Sequence, residues 1–570
     1  MAPECENVIR TDSPRAGYEE HTPLLSDRDP SFVSVPRGSA LEGEALNRSE
    51  SGRKERHGES YDNVPKDKRQ LGLFSVAFLI FNRIIGTGIY ATPSNILRSS
   101  GSVGVSLIMW LVGASIAACG TAVYVELGTG LPRSGGEKNY LEFIFRRPKF
   151  LATCTFTVYT LIMEIIVIQG TATANSVVFS EYILHSLSFE PTWFKTRLVA
   201  FSCLSFICLI HGTRLRWGLR LQNTLGLFKL VILALISLSG LLCLLSVKGF
   251  QVRGDYEKPD NFRWEKLWEG SGTGLNAFVS GVYNVIWSFI GYSNANYALS
   301  EVRDPVRTIK RAAPLAMLSV TSVYLFINIA YFAVVSKSDI LESRRIVAAL
   351  YFRNLFGPTT EKALSSFIAL STLGNLLAGQ FSQGRVIQEL GREGILPFSS
   401  FFASNKPFNA PLTGLFTQYL VSCTFLFAVP PGDAYLFLIS LSSYSLSLIN
   451  MLVSFGLLLL YSQPYLVWGW NPPFRAPKPL VILFFVSNLF LVTIPFFPPI
   501  PGSKTYSQLP YWSHSAGGLA LSLFGFIYWY IWGIWLPKSK GYHLERKWAL
   551  QDDGVSRYVF HKLPVSIPAP

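Results

Sequence analysis

The sequence predicts an all-α polytopic membrane protein with about twelve transmembrane helices, and three observations carry this prediction. Of its 570 residues, 49% are hydrophobic and only 15% are charged, whereas soluble domains carry about 25% charged residues. Many apolar stretches run for about 20 residues, the length that a helix needs to cross a hydrocarbon core of about 30 Å. The alternating segments of about 10 residues that are typical of a transmembrane β-barrel do not occur in the sequence.

Composition divides the chain into three regions. Residues 1–70 are polar and rich in Ser, Pro, Gly and charged residues, so we predict a disordered cytoplasmic N-terminal tail. Residues 71–536 form the predicted membrane domain, and residues 537–570 form a cytoplasmic C-terminal tail. Three lysines of the first tail are candidate sites for the ubiquitination machinery, although most tail lysines are simply solvated; they are Lys54, Lys66 and Lys68.

Twelve apolar runs define the predicted spans of the membrane domain. Numbered in chain order, they are 71–97, 103–131, 150–184, 196–213, 219–247, 273–300, 312–335, 361–390, 411–429, 433–461, 479–497 and 515–536.

Basic loops give the predicted orientation. Lys and Arg collect after the even-numbered spans, in 132–149, 212–220, 301–312, 391–394, 405–407, 471–478 and 537–547. Because cytoplasmic loops carry an excess of Lys and Arg, we place these loops and both termini in the cytoplasm. Arginines in the loop 337–360 weaken this asymmetry without reversing it. The formal net charge of +14 follows from the same bias, so nucleic acid is not an expected partner.

The sequence carries no pattern for catalysis or metal binding. Six of the seven cysteines fall in apolar stretches without metal-ligand spacing, where they fit small packing residues. The seven histidines are scattered, and neither a nucleotide-binding loop nor a nucleophile motif is present. We therefore expect no cofactor, no metal site and no enzymatic activity.

One segment of span one conflicts with a continuous helix. Gly86, Thr87 and Gly88 follow one another, and each glycine lowers helix propensity by about 1 kcal/mol relative to alanine. Pro93 removes the helical hydrogen bond one turn back. Inside a membrane such a break is tolerated where it lines a cavity or packs in protein. We predict two half-helices, the second beginning near Tyr90, with free amide groups that form a site for a carboxylate.

Span six repeats this pattern. Its centre, Phe289–Ser293, contains Gly291 and becomes polar and aromatic. Spans one and six are the first members of two five-span halves, and interrupted helices at matching positions in two halves indicate a transporter site at the membrane midplane. A packing glycine or a simple kink is the alternative for either break alone. The matched pair favours a site.

Four long motifs carry a resemblance to a known family. They are NRIIGTGIYATPS in span one, YVELGTGLPRSGGEKNYLEFIFRRPKF after span two, SEVRDPVRTIKRA after span six and GRVIQELGREGILP at the end of span eight. With them the sequence resembles the amino acid–polyamine–organocation superfamily, and within it the L-type amino-acid transporter branch and its fungal methionine-transporting members. The similarity covers about residues 70–500, and both tails lie outside it.

The resemblance implies a leucine-transporter-like fold, in which two inverted repeats of five helices with broken helices one and six are followed by two further helices. It implies that the span-one break binds the substrate carboxylate through backbone amides and a hydroxyl, at Ile85, Gly86, Thr87, Gly88 and Ile89. The span-six break is expected to offer carbonyl groups to the substrate ammonium, with Trp287 as an aromatic gate, at Trp287, Ser288, Ile290, Gly291 and Ser293. Ile290 stands where related exchangers have glycine, which narrows the expected pocket.

Four polar side chains within the spans are further candidates. The resemblance places Lys229 of span five beside the span-one break, and a buried ammonium is a candidate for proton coupling; snorkelling to the interface is the alternative. Arg83 either closes the cytoplasmic side against an acid or pairs structurally. Glu164 of span three is a proton carrier or the partner of a basic group. Asn375 of span eight faces the substrate or joins two helices.

Together these features predict a secondary active transporter that imports a neutral L-amino acid, with methionine as the expected substrate and protons as the coupling ion. A neutral amino-acid exchanger and a non-transporting amino-acid sensor are the alternatives. A disulfide-linked heavy chain is not expected, because the outside loop HSLSFEPTWFK between spans three and four has no cysteine. The expected partners are the substrate, protons and the lipid bilayer, and the expected location is the plasma membrane.

Overall fold

A computed structural model describes residues 69, 71–132, 135–145, 147–163, 168–256, 258–272, 274–297, 299, 302–343, 346–396, 398–404, 408, 410–428, 433–462, 470–499, 506–550 and 556–564. Several sequence-based predictions fall outside these residues. They concern the tail lysines Lys54, Lys66 and Lys68, and Glu164 in span three.

Long apolar helices dominate the described part of the chain, which confirms the predicted helical membrane fold. Nine helices there are long and apolar enough to cross a membrane: Leu73–Ala91, Val103–Gly130, Trp193–Thr213, Leu215–Leu244, Pro305–Val334, Pro358–Arg392, Leu436–Leu460, Lys478–Phe496 and Ser513–Lys540. The first is interrupted after Ile84, the eighth ends in the 3-10 turn Ile494–Phe496, and the ninth contains the π-helical stretch Tyr530–Trp535 near its end. The tenth-span helix itself begins at Asp433.

Three predicted spans correspond to shorter helices. Span three is described as Leu151–Ile162 and Ile168–Ser186, span six as Leu275–Ser288 followed by the 3-10 turn Asn294–Tyr297, and span nine as Leu412–Ala428. The count of twelve spans therefore stays a prediction.

Helix starts follow from the local sequence. Ser102 precedes the second-span helix, and its hydroxyl oxygen accepts a hydrogen bond of 3.3 Å from the amide of Val105. Asp304 does the same for the amide of Arg307 at 3.3 Å, and Pro305 occupies the first position of the seventh-span helix. Both arrangements satisfy amides that the first helical turn leaves without a partner.

Short helices occupy several connections that the sequence analysis treated as loops. They are Glu137–Ile144, Trp264–Leu267, Lys337–Glu342, Val347–Phe356 and Ser399–Ala403. We call Glu137–Ile144 the loop helix; it follows span two and packs against the helices of spans three and ten.

The C-terminal tail contains structure that the sequence analysis did not predict. Strands Tyr542–Leu550 and Ser556–Pro564 pair antiparallel, with Tyr542 opposite Pro564, and we call them the C-terminal hairpin. Phe560 of the second strand contacts Phe150 and Trp532 edge to face, with ring centroids 5.2 Å apart in both pairs. The tail is thus packed against the membrane domain.

Many large apolar side chains are exposed on the outer surface, and several polar side chains are buried among the helices, as expected for a protein surrounded by lipid. Leu318 and Leu523 are exposed on helices that cross the membrane. Glu126 of span two is buried, and its carboxylate accepts hydrogen bonds from the Trp470 indole at 3.0 Å and from the Ala476 amide at 2.7 Å. This carboxylate joins span two to the segment after span ten, so its contacts are structural.

Packing of the seventh- and eighth-span helices places the elements of the site. The seventh-span helix Pro305–Val334 packs against spans one, two and five, and the eighth-span helix Pro358–Arg392 packs against spans three and five. Side chains from both helices therefore reach the interrupted part of span one.

Candidate functional site

The predicted break in span one is present. The first half-helix ends at Ile84, Ile85 adopts an extended conformation with φ −73° and ψ 101°, and helical structure resumes at Gly88. The second half-helix therefore begins at Gly88, two residues before the predicted start near Tyr90. Among the described residues, no backbone carbonyl accepts the amides of Gly86 and Thr87. Those two amide groups are available to a ligand.

Three other spans satisfy the carbonyl groups that the break leaves without helical partners. The Lys229 ammonium of span five donates to the Ile85 carbonyl at 2.5 Å, and the Asn375 amide of span eight approaches the same oxygen at 3.4 Å. The Tyr324 hydroxyl of span seven lies 3.1 Å from the carbonyl oxygen of Ile84. A buried backbone oxygen without a partner is costly in a membrane, so these contacts stabilise the interrupted helix.

Span six is also interrupted. Its helix ends at Ser288, and Gly291 has φ +122°, a conformation that side chains with a Cβ rarely adopt. A Cβ at Gly291 would also lie 2.7 Å from the Cγ of Arg83. The glycine therefore allows the span-six break to approach span one.

The two breaks touch each other. A Cβ built on Gly88 would lie 2.5 Å from the Ser288 hydroxyl oxygen and 2.9 Å from the Ser288 Cα. Tyr324 also joins the two breaks, because its hydroxyl lies 2.9 Å from the Ser288 carbonyl and 3.1 Å from that of Ile84. With one hydrogen, the hydroxyl donates to one of these oxygens at a time.

Aromatic packing behind the breaks holds Tyr324 in place. Its ring lies 5.3 Å from that of Trp110 and 5.1 Å from that of Phe289, and Trp110 and Phe289 are 6.3 Å apart. All three contacts are edge to face, the favoured geometry for aromatic rings. Tyr324 was not predicted from the sequence, since nothing local marks a tyrosine in a long apolar helix as a partner of distant carbonyls.

One cavity of about 190 Å³ contains the two breaks. Most of the predicted site residues line it: Arg83, Gly86, Thr87, Gly88, Trp287, Ser288, Ile290, Gly291, Ser293 and Asn375. Ile85 and Ile89 are fully buried and do not line it, and they contribute only backbone. The cavity extends to Glu137 and Lys138 of the loop helix, so it runs toward the face with the loops after even-numbered spans.

Lys229 lies behind the cavity wall. Its ammonium is fully buried and contacts the Asn82 side-chain oxygen at 3.1 Å, the Asn82 carbonyl at 3.3 Å and the Ile85 carbonyl at 2.5 Å. The ammonium nitrogen is thus surrounded by three oxygen atoms, in the way that a small bound cation would be. The lysine stands where the resemblance placed it, next to the break.

Thr87 has a partner that the sequence analysis missed. Its hydroxyl donates to the Asn175 side-chain oxygen in the second helix of span three. The hydrogen of this hydroxyl is therefore directed at Asn175, and the Thr87 oxygen keeps acceptor capacity toward the cavity. Asn175 lines the cavity as well.

A group of buried amides forms another part of the wall that was not predicted. The Gln380 amide of span eight donates to the Gln169 oxygen of span three at 2.7 Å, and Gln169 donates to Gln383 at 3.3 Å. The Ser422 hydroxyl of span nine donates to the same Gln169 oxygen at 3.0 Å. Single glutamines in apolar spans gave no sequence signal, because their pairing depends on three different helices.

The sequence is similar to those of known transport proteins. A family model described as amino acid permease matches residues 71–521. The chain is 43% identical over 502 residues to the high-affinity methionine permease of Saccharomyces cerevisiae, which covers 88% of this chain and 85% of the yeast protein. It is 30% identical over 502 residues to the low-affinity methionine permease of the same yeast, covering 85% and 86%. The b(0,+)-type amino acid transporter 1 of Mus musculus is 29% identical over 436 residues, covering 75% and 82%.

Proposed function

The chain belongs to the amino acid permease family, and on that premise we propose that it imports a neutral L-amino acid, with methionine as the substrate and protons as the coupling ion. The observation that carries the proposal is the meeting of the two breaks at Gly88 and Ser288 on one cavity. Similarity to two yeast proteins named as methionine permeases supports the choice of methionine.

The amino acid is proposed to bind across the two breaks. Its carboxylate would accept from the amides of Gly86 and Thr87, where the second half-helix also presents its positive dipole end. Its ammonium would lie at the carbonyl groups of the span-six break, around Trp287 and Ile290. The apolar side chain would then contact Trp287, Ile290 and other apolar residues of the wall.

Lys229 is the proposed link between the substrate and the coupling ion. Its ammonium contacts the Ile85 carbonyl, one residue from the proposed carboxylate site. Gain or loss of a proton at Lys229 would change the hydrogen bonding of the break itself. Arg83 lines the cavity beside Gly291 and is proposed to act in closing it.

The orientation and location are also proposals. With the basic loops in the cytoplasm, the cavity extends toward the cytoplasm, and the conformation is inward-facing. We propose the plasma membrane, both termini in the cytoplasm, no disulfide-linked heavy chain, and turnover through ubiquitination of the N-terminal tail.

Uptake measurements test the proposal. The full chain is expressed in cells that lack their own methionine permeases, and uptake of labelled methionine is measured at several external pH values, with and without sodium. We expect uptake that rises as the external pH falls and does not need sodium. Uptake that requires a preloaded internal amino acid would indicate an exchanger. Binding of methionine to the purified protein without uptake would indicate a sensor.

A further inference from the structure

Glu137 joins the loop helix to the span-six break. The Tyr297 hydroxyl donates to one carboxylate oxygen at 2.5 Å, and the Ser293 hydroxyl donates to the other at 3.4 Å. Ser293 lies in the break, and Tyr297 ends the 3-10 turn that follows it. A single carboxyl group thus bridges two separate elements at the cavity wall.

The loop helix that carries Glu137 is anchored away from span six. The Lys138 ammonium pairs with Glu393 at the end of span eight, and Glu142 pairs with Arg546 of the C-terminal hairpin. The helix also packs against spans three and ten. The hydrogen bonds to Glu137 therefore connect the anchored loop helix to the interrupted part of span six. Gain or loss of a proton at this carboxyl changes how strongly these two elements are held together.

The surroundings of Glu137 are mostly phenolic. The titratable side chains that face it or line the same cavity are Arg83, Tyr124, Lys138, Tyr159, Tyr292 and Tyr297. The Lys138 ammonium pairs with Glu393 and lies 3.9 Å from Glu142. Burial among these groups raises the pKa of the Glu137 carboxyl, and the hydrogen bond from Tyr297 opposes that rise.

We propose that Glu137 is a proton-binding group on the cavity wall, separate from Lys229, and that a proton on its carboxyl favours the conformation seen here, with the loop helix joined to the span-six break. The inference rests on the proposed function for its role in transport. Withdrawing a charged carboxylate from water is unfavourable, and protonation removes that cost while the group can still bond to the hydroxyls. Because the pKa is raised here relative to a solvated carboxyl, acid favours this conformation and rising pH disfavours it.

Accessibility of the cavity tests the proposal without any measurement of transport. Ser382 lines the cavity, and Ser382→Cys is introduced into the full chain purified in lipid nanodiscs. Its labelling by a water-soluble maleimide is measured from pH 5.5 to 8, and labelling of the parent chain is subtracted. Each rate is divided by that of the same cysteine in Glu137→Gln, which mimics the protonated carboxyl, so that the pH dependence of the thiol cancels.

We expect this ratio to be near one at pH 5.5 and to fall several-fold by pH 8. Tyr297→Phe removes the hydrogen bond that opposes protonation, so the fall should move to higher pH. The control Glu389→Gln changes a carboxyl that pairs with Arg392 away from the cavity, and its labelling should follow the wild type. A ratio that stays near one at every pH, or that falls toward acid, overturns the inference.

Uptake separates this inference from the proposed function. If the wild type imports methionine and Glu137→Gln keeps the wild-type pH profile, the role of Glu137 fails and the transport function stands. If the wild type imports no methionine, the proposed function fails, and the labelling ratio still decides whether Glu137 binds the proton.

Discussion

The Lys229 ammonium lies 2.5 Å from the carbonyl oxygen of Ile85, inside the interrupted part of span one. The ammonium group of span five therefore donates to a span-one carbonyl that would accept a backbone amide in a continuous helix. The proposed site depends on this lysine even though its side chain does not line the cavity.

Replacing Lys229 by methionine keeps the length of the side chain and removes its charge. We expect a pH profile of methionine uptake that is flatter than that of the wild type, because one of the two proposed proton-binding groups is lost. The maximal rate should fall by about tenfold, because the Ile85 carbonyl keeps only the 3.4 Å contact from Asn375 and a poorly satisfied buried carbonyl costs about 1–3 kcal/mol. Lys248→Met, at an exposed lysine beyond the same helix, is the control and should behave as the wild type. A wild-type pH profile in Lys229→Met would leave the lysine a purely structural residue.

Gly88→Ala tests the contact between the two breaks. The added Cβ would lie 2.5 Å from the Ser288 hydroxyl oxygen, and overpacking of this kind costs about 1–3 kcal/mol. We expect Gly88→Ala to reduce uptake by about tenfold or more and Gly88→Leu to abolish it, with both proteins still in the membrane. The added atom would contact span six as well as narrow the proposed carboxylate site. Gly72→Ala, where a Cβ meets nothing within 4 Å, should keep full uptake; equal activity in both variants would contradict the contact.

Tyr324→Phe removes the hydroxyl shared by the carbonyl oxygens of Ile84 and Ser288 while keeping the ring between Trp110 and Phe289. We expect the free energy of unfolding to fall by about 1–3 kcal/mol and maximal uptake to fall by about tenfold. Thermal unfolding of the purified protein and uptake in cells give the two values. Tyr331→Phe is a matched control on the same helix, because the Tyr331 hydroxyl has no hydrogen-bond partner among the described residues. An equal loss of uptake in Tyr324→Phe and Tyr331→Phe would contradict the proposed role of the Tyr324 hydroxyl.

Arg546→Ala removes the nearer of two cations beside Glu142, and both side chains of this pair are buried; the other cation, Lys138, lies 3.9 Å from the carboxylate. Breaking a buried ion pair from one side costs about 3–5 kcal/mol, so the melting temperature should fall clearly. Adding Glu142→Gln should restore part of the loss, since the remaining charge is removed. Lys547→Ala, on the exposed side of the same strand, should leave the melting temperature unchanged. No fall in Arg546→Ala would mean that the hairpin contributes little to stability.

The sequence could predict features that are local. The apolar runs gave the helical membrane fold, and the Gly86–Gly88 and Gly291 signals placed both helix breaks, because glycine and proline act on the backbone where they stand. The resemblance correctly placed Lys229 beside the first break.

Features that depend on distant partners could not be predicted in this way. Tyr324, Asn175 and Glu137 lie in sequences that give no local signal, and only the packing of spans three, six and seven brings them to the breaks. The hairpin was not predicted because its residues have the composition of a charged tail. Its residues Phe560 and Arg546 attach it to the membrane domain through contacts with Phe150, Trp532 and Glu142. Glu164 lies outside the described residues, so its role stays a prediction.

The pairing of Arg546 with Glu142 also bears on how the protein is made. A ribosome completes the loop helix long before it reaches the hairpin, so during synthesis Glu142 lacks this partner. Until the last segment is released, the side of the cavity that carries the loop helix lacks this ion pair. A chain truncated before Arg546 would present this unfinished surface permanently, which gives cellular quality control a means to distinguish complete from incomplete copies.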